Sequence, residues 1–310
     1  MNPPSPWHAG ELAMQRSIGV VEQMDRPGRM FVRDLLTDQH RGFYPLLDFV
    51  AIGSVDAHGD AWATARAGLP GFLQSPDPAT LRLTLERDPS DPAETGLEDG
   101  RAVGLLGIDF MTRRRNRLNG TVRRTDGHGF AVGVEQSFGN CPRYIHPRDF
   151  EFVRDPAVAS PQPVTETRSL DARARHIVRA ADTFFVASYV DRGDGVRQVD
   201  VSHRGGPPGF VRVEPDGSLT IPDFSGNRFF MTLGNFRVNP KAGLLFIDPG
   251  TGDMLQMTGD ARVLPGTSGV AAFEGAERLW SFGPRRVLYR PAGLPSVIPA
   301  HCGKPCAKPG

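Results

Sequence analysis

Three short motifs recur in this 310-residue chain in the same order and at almost the same spacing. Gly68-Leu-Pro-Gly-Phe72 returns as Gly206-Pro-Pro-Gly-Phe210. Gly104-Leu-Leu-Gly-Ile-Asp109 returns as Gly243-Leu-Leu-Phe-Ile-Asp248, and Leu118-Asn-Gly120 as Met257-Thr-Gly259. Gly71 and Gly209 lie 138 positions apart, and Gly104/Gly243 and Gly120/Gly259 each 139. A fourth pair, the runs beginning at Asp48 and Asp182, matches with a one-residue shift. Shared turn chemistry explains one Gly-Pro match but not an ordered series. The spacing therefore predicts two diverged copies of one unit, over 43–155 and roughly 180–265. Two such copies would meet about a pseudo-two-fold axis, where ligand clefts are common.

The local texture says what kind of unit repeats. Residues 48–68 read as two strands joined at a turn over Asp56–Asp60, and residues 79–85 alternate as a half-buried strand. Further strands are expected over 102–110, 113–125, 130–138 and from 183 to about 264. With 36 Gly and 28 Pro, turns and short strands are favoured over long helices. Helices are expected at 8–24, at 29–40 and at 169–182, the last capped by Ser169. The sequence divides into an N-terminal helical segment (1–42), a first half (43–155), a linker and helix (156–182), a second half (183–290) and an irregular tail (291–310).

A formal net charge of +1 argues against a general nucleic-acid binder. No apolar run reaches the ~20 residues that span a bilayer, and Met1–Gly10 lacks the pattern of a signal peptide. These features predict a cytoplasmic protein. The three cysteines, Cys141, Cys302 and Cys306, make no disulfide framework. His301, Cys302 and Cys306 supply too few local ligands for a metal site.

Chemistry-bearing residues concentrate in the second half. On a strand, Ser202 and Arg204 share a face, and a hydroxyl beside a guanidinium grips phosphate. His203 faces the other way, and Gly205 and Gly206 permit close backbone approach. A surface turn with an exposed Arg204 is the alternative. In the segment 222–248, Asn227 sits in a turn, and Thr232 and Asn235 share a helical turn. That turn could hold a phosphate, or Thr and Asn could simply cap a helix. The run Gln136-Ser-Phe-Gly-Asn-Cys141 offers Gln136, Ser137 and Asn140 as polar groups and Phe138 for stacking. Cys141 reads as a small packed group, because no histidine partner for a nucleophile can be identified. The cluster Arg113–Arg117, with Arg123 and Arg124, could bind an anionic substrate or nucleic acid, but in a near-neutral chain it reads as a solvated face opposite the acidic loop at 86–99.

These pieces together resemble the pyridoxamine 5′-phosphate oxidase-related family of FMN-binding split barrels. The resemblance rests on the hairpin at 183–202, SHRGGPPGF (202–210), SGNRFFMTLGN (225–235) with Asn239-Pro240 behind it, and GLLFID (243–248). SPWHAGE (5–11) and QSFGNCPRYI (136–145) resemble a longer bacterial branch with two such halves. It implies a mainly β fold with short helices: two tandem split β-barrels, six strands each, forming an intramolecular pseudo-dimer with FMN at their interface. Carried over by position, Ser202, His203, Arg204 and Gly205 would lie near the flavin phosphate or ring edge. Thr232, Leu233 and Asn235 would lie near the phosphate and ribityl chain, with Asn227 and Arg228 beside them. Gln136, Ser137 and Asn140 would form a wall from the first half. The chain departs from the family where many members carry Lys and it has Thr232.

In the first half the matching segment reads Ala-Thr-Ala-Arg66-Ala-Gly68, which keeps the arginine but not the Ser-His pair. One flavin site per chain is therefore expected. The implied function is an FMN-dependent oxidoreductase passing electrons or hydride from a donor such as a reduced nicotinamide to a small acceptor. The alternatives are a non-catalytic flavin, haem or deazaflavin binding or sensor protein, and pyridoxamine phosphate oxidation itself. The catalytic residues are not identifiable from sequence, and both a monomer and a homodimer are compatible with it.

Overall fold

The computed structural model describes residues 5–124, 129–193, 195–266 and 269–298. The chain opens with α1 (Ala9–Ser17), α2 (Val21–Phe31) and α3 (Asp38–Phe43). The first half then contributes β1 (Phe49–Val55), β2 (Ala61–Ala67), β3 (Leu73–Asp77), β4 (Thr80–Leu83), β5 (Ala102–Asp109), β6 (Arg114–Arg123) and β7 (Phe130–Gly139). Short strands β8 (Glu151–Phe152) and β9 (Thr165–Thr167) and helix α4 (Ala172–Ala180) lead to the second half. That half holds β10 (Thr183–Asp191), β11 (Arg197–Gly205), β12 (Arg212–Val213), β13 (Leu219–Phe224), α5 (Met231–Val238), β14 (Lys241–Ile247), β15 (Met254–Val263) and β16 (Ala276–Arg290). Strand β17 (Ser296–Val297) pairs with β8.

The fold is two tandem split barrels. The first sheet runs β2-β1-β5-β6-β7-β4-β3 and the second β11-β10-β14-β15-β16-β13-β12, the same order position for position. Register agrees as well. Gly53 pairs with both Ala63 and Gly104, and Ala187 with both Val201 and Gly243. Each sheet also carries a bulge at the same place, after Asn119 in the first and after Thr258 in the second. These pairings make Thr64 the counterpart of Ser202, Arg66 of Arg204, Gln256 of Arg117 and Arg290 of Asn140. Each main sheet path holds seven strands, one more than the six expected, because the hairpins β3–β4 and β12–β13 both join their sheets.

Strand alternation sorts the core into three parts. Val50 and Ile52 of β1 point into the first barrel, with Leu105 and Leu118. Phe184 and Val186 of β10 point into the second, with Leu244, Phe246 and Trp280. The residues between them, Phe49, Ala51, Phe185 and Ala187, pack into a third cluster with Ala63, Val201 and Leu245, and this joins the halves. Strands β1 and β10 are thus covered on both faces, which explains their nearly continuous apolar sequence.

The close packing at this joint needs glycine at two counterpart positions. A Cβ on Gly104 would stand 2.8 Å from the Val199 carbonyl oxygen, and one on Gly243 2.5 Å from that of Ala61. So β5 rests on β11 and β14 rests on β2, the reciprocal pattern of an isologous interface.

Several local expectations are corrected. The helix expected at 29–40 is absent: α2 ends at Phe31, and Arg33 leaves to bridge Ser137. A new helix, α3, starts only after Thr37, whose side chain caps it through the His40 amide. Helix α4 is capped by Asp171, not Ser169, because the Asp171 carboxylate accepts from the Ala174 amide at 2.8 Å. Gly19, at φ +70°, separates α1 from α2 within the expected 8–24 helix. Among the described residues no helix is long and apolar enough to cross a membrane. His301, Cys302 and Cys306 lie outside the described residues.

Candidate functional site

A polar cleft opens where β11 and α5 of the second half face β6 and the segment after β7 of the first. It holds about 1010 Å³ of empty space counted out to its open mouth. Its floor is built by alternation on two strands. On β11, Asp200, Ser202 and Arg204 share one face; on β6, Arg115, Arg117 and Asn119 do.

The two strands meet through a buried ion pair. Arg117 donates to the Asp200 carboxylate at 3.1 Å and also to the Ser202 hydroxyl. Asn119 and Asn235 donate to the same carboxylate at 2.6 and 3.0 Å. Thr232, on the first turn of α5, donates to Ser202 at 3.0 Å. Asn235 also donates to Ser188, and its carbonyl meets His8 Nε2 at 2.9 Å. The N-terminal helix reaches this point because Gly10 packs against Gly234: a Cβ on Gly10 would stand 2.0 Å from the Gly234 oxygen. His8 and Glu11 also form the capping box of α1. Burial, reinforced by the charge of Asp200, holds the Glu11 carboxyl well above the usual carboxylate range.

Arg115 donates twice to the Cys141 carbonyl, at 3.0 and 2.7 Å, and its other nitrogen meets His203 Nδ1 at 2.8 Å. Burial, with Arg117 next to it, pushes the Arg115 guanidinium down to about 10. Burial, then Arg115, pushes His203 well below its ordinary range, so it is neutral at physiological pH. Arg204 donates to Asp223 at 2.8 Å, and Arg278 to the other oxygen of the same carboxylate at 2.6 Å.

The wall carries six arginines, Arg115, Arg117, Arg143, Arg204, Arg228 and Arg278, against the acids Asp223 and Glu277. Arg117 Nε, Arg204 Nε and Asn140 Nδ2 are buried there without a hydrogen-bond acceptor. Three wall residues, Tyr144, Arg228 and Phe230, have φ near +62° although none is glycine. Such backbone strain concentrates at binding sites. Phe138, Phe229 and Phe230 add apolar surface.

Of the residues expected here from sequence, Ser202, His203, Arg204, Gly205, Asn227, Arg228, Thr232, Leu233 and Asn140 line the cleft. Asn235 does not; it lies beneath the floor, fully buried in the Asp200 network. Gln136 lies further along β7, accepting from Asn119 and Gln198. Ser137 points to the opposite face of β7, where His40 Nδ1 meets it at 2.9 Å. His203 alternates away from Ser202 as expected but still reaches the wall through Arg115. The expected solvated face at 113–117 is corrected: Arg117 is 4% exposed and at the centre of the site. The signal was present as the i, i+2 series Arg115, Arg117, Asn119. Only Arg124 of that basic group pairs with the acidic loop, through Glu94.

No protein-family profile matches the chain, and no curated protein matches it. It is similar to several solved structures. One is a pyridoxinephosphate oxidase-family protein related to general stress protein 26, from Clostridium acetobutylicum: 12% identity, TM-score 0.28, covering 40% of this chain and 89% of that one. An FAD-binding protein from Mesorhizobium loti matches at 13% identity and TM-score 0.28, over 41% of this chain and 98% of its own. HupZ from Group A Streptococcus matches at 15% identity and TM-score 0.28, over 34% and 93%.

Proposed function

We propose that the chain is a flavoprotein that holds FMN in the β6–β11 cleft and serves as an oxidoreductase. The observation that carries this reading is the cleft's donor set: a hydroxyl pair, Ser202 and Thr232, among six arginines, with three buried donors lacking an acceptor. Such a set fits a phosphate monoester, because guanidinium forks and hydroxyls match its oxygens. Arg204, Arg228 and Asn140 would supply the charge and donors that Thr232 cannot. Phe138, Phe229 and the neutral His203 would give a largely apolar wall for an aromatic ring. FMN, when bound, accepts and passes on a hydride or electrons; the chain binds it, orients it and excludes water. A reduced nicotinamide is the donor we expect, with a small molecule as acceptor, and the joined halves make a monomer sufficient for the site.

The test is a titration of the purified protein with FMN and with riboflavin, followed by absorbance and fluorescence. FMN binding clearly tighter than riboflavin is expected; no binding of either overturns the reading. A binding or sensing role is favoured by one observation: His203, the histidine on the wall, is locked against Arg115 and unsuited to proton transfer. Stopped-flow mixing with NADH and NADPH separates the two, since a bound flavin that neither reduces belongs to a binding protein.

A further inference from the structure

The second barrel joint contains a counterpart of this cleft, between β2 of the first half and β15 of the second. It is closed by the chain itself. The acidic loop expected as a simple surface loop runs instead into the protein as a short 3-10 turn over Pro92–Gly96. Asp91, at its start, is 2% exposed.

The partners of Asp91 are informative one by one. Thr64 donates to its carboxylate at 2.5 Å and Gln256 at 3.0 Å. Arg66 and Arg290 approach it at 3.4 and 3.2 Å. By strand register these four are the counterparts of Ser202, Arg117, Arg204 and Asn140. Those four surround the open cleft, and three of them carry a buried donor without an acceptor: Arg117 Nε, Arg204 Nε and Asn140 Nδ2. The positions that grip a carboxylate in the closed joint leave one buried donor without an acceptor, Arg290 Nε, against three at their counterparts in the open one.

We propose that the closed cleft is an oxyanion site permanently occupied by the Asp91 carboxylate, and that its counterpart quartet, Arg117, Asn140, Ser202 and Arg204, is the oxyanion subsite of the open cleft. The ligand class is a phosphate or phosphate monoester. The assignment to the phosphate of a flavin rests on the proposed function; the oxyanion subsite does not. Beyond Asp91 the second joint still opens outward into a cavity lined by Arg66, Phe72, Asp88, Arg154 and Arg290, so an anion could reach it.

Inorganic phosphate tests this without any flavin. Asp91→Asn keeps the shape but removes one of the carboxylate charges that answer Arg66 and Arg290, leaving Asp88 and Glu94 in place. Its melting temperature is expected to fall, and phosphate to restore it by about 2–4 °C beyond any shift in wild type. Leu97→Ala is the control: it loosens the same loop from the core and leaves the quartet intact. An equal phosphate response in both variants overturns the proposal. Should Asp91→Asn not fold, the open cleft gives the second measurement. Asn140→Arg installs the Arg290 equivalent and is expected to tighten phosphate binding about tenfold, roughly one Arg–oxyanion contact's worth. Unchanged or weaker phosphate binding overturns the proposal. FMN that fails to bind while phosphate behaves as stated removes the flavin reading alone.

Discussion

The open and the closed cleft share strand order, register and bulge, yet differ in how their charges are answered. In the closed one, Arg66 is met by Asp88, Asp91 and Glu94 at 3.1, 3.4 and 2.7 Å, and Arg290 by Asp88 and Asp91. In the open one, Arg117 has Asp200 and Arg204 has Asp223, while the wall as a whole keeps a cationic excess. The lesson is that one backbone frame makes either a structural salt-bridge core or an open, arginine-lined cleft. In the closed cleft the acids of a single loop, Asp88, Asp91 and Glu94, answer the arginines.

The largest expected effect tests where the two frames diverge most. Arg117→Leu leaves Asp200 buried without its cation and should cost about 3–5 kcal/mol. Its counterpart Gln256→Leu removes a neutral side chain's bonds to Ala63, Asp91 and Arg290 but leaves no charge without its counter-ion, and should cost about 1–3 kcal/mol. Urea unfolding of the two variants checks this, and equal losses would erase the distinction.

The next pair probes what the two joints have in common. Gly104→Ala and Gly243→Ala each push a Cβ into the backbone of the other half, and overpacking of this kind costs about 1–3 kcal/mol. The Gly243 variant should be the worse, given its shorter approach. Thermal denaturation that leaves either variant at wild-type stability would break the picture of a reciprocal joint.

A pH effect follows from His203 and has no equivalent in the closed cleft, where Ala65 takes its place. His203 is buried neutral, with burial and then the Arg115 charge holding its folded pKa well below the ordinary histidine range. The unfolded chain therefore binds the proton more readily, and stability is lost as pH falls below about 6.5. His203→Gln keeps an acceptor for Arg115 but cannot titrate. Melting curves at several pH values should show wild type falling relative to this variant only on the acid side. A constant difference would mean that His203 is not buried neutral.

The smallest effect is at Cys141, which offers its carbonyl, not its thiol, to Arg115. Cys141→Ser should stay within about 0.5 kcal/mol of wild type and leave FMN affinity unchanged. Loss of FMN binding would give the thiol a part in the site.

Much of the fold was legible because strands announce themselves by alternation and turns by Gly and Pro. The pairs Gly104/Gly243 and Gly120/Gly259 even mark the joint and the bulge. Within 202–205 and 227–233, pattern alone offered Ser202, Arg204 and Thr232 and left a surface turn or helix capping open, and the family resemblance supplied the others. What escaped depends on the other half. Arg117 looks solvated until Asp200, distant in sequence, is brought against it. The loop around Asp91 looks like a surface loop until Thr64, Arg66, Gln256 and Arg290 close on it. Asn235 has the composition of a phosphate ligand, but its side chain is spent on Asp200, Ser188 and His8. Long-range pairing decides each of these, and the i, i+2 series Arg115, Arg117, Asn119 is the one local trace it leaves.

The reciprocal joint has one more consequence. In a dimer of two identical chains, every substitution appears at both clefts, so a loop that seals one seals the other. Linking the halves covalently removes that constraint and lets one cleft be given over to structure. It also makes the joint independent of concentration, since the two faces can never dilute apart.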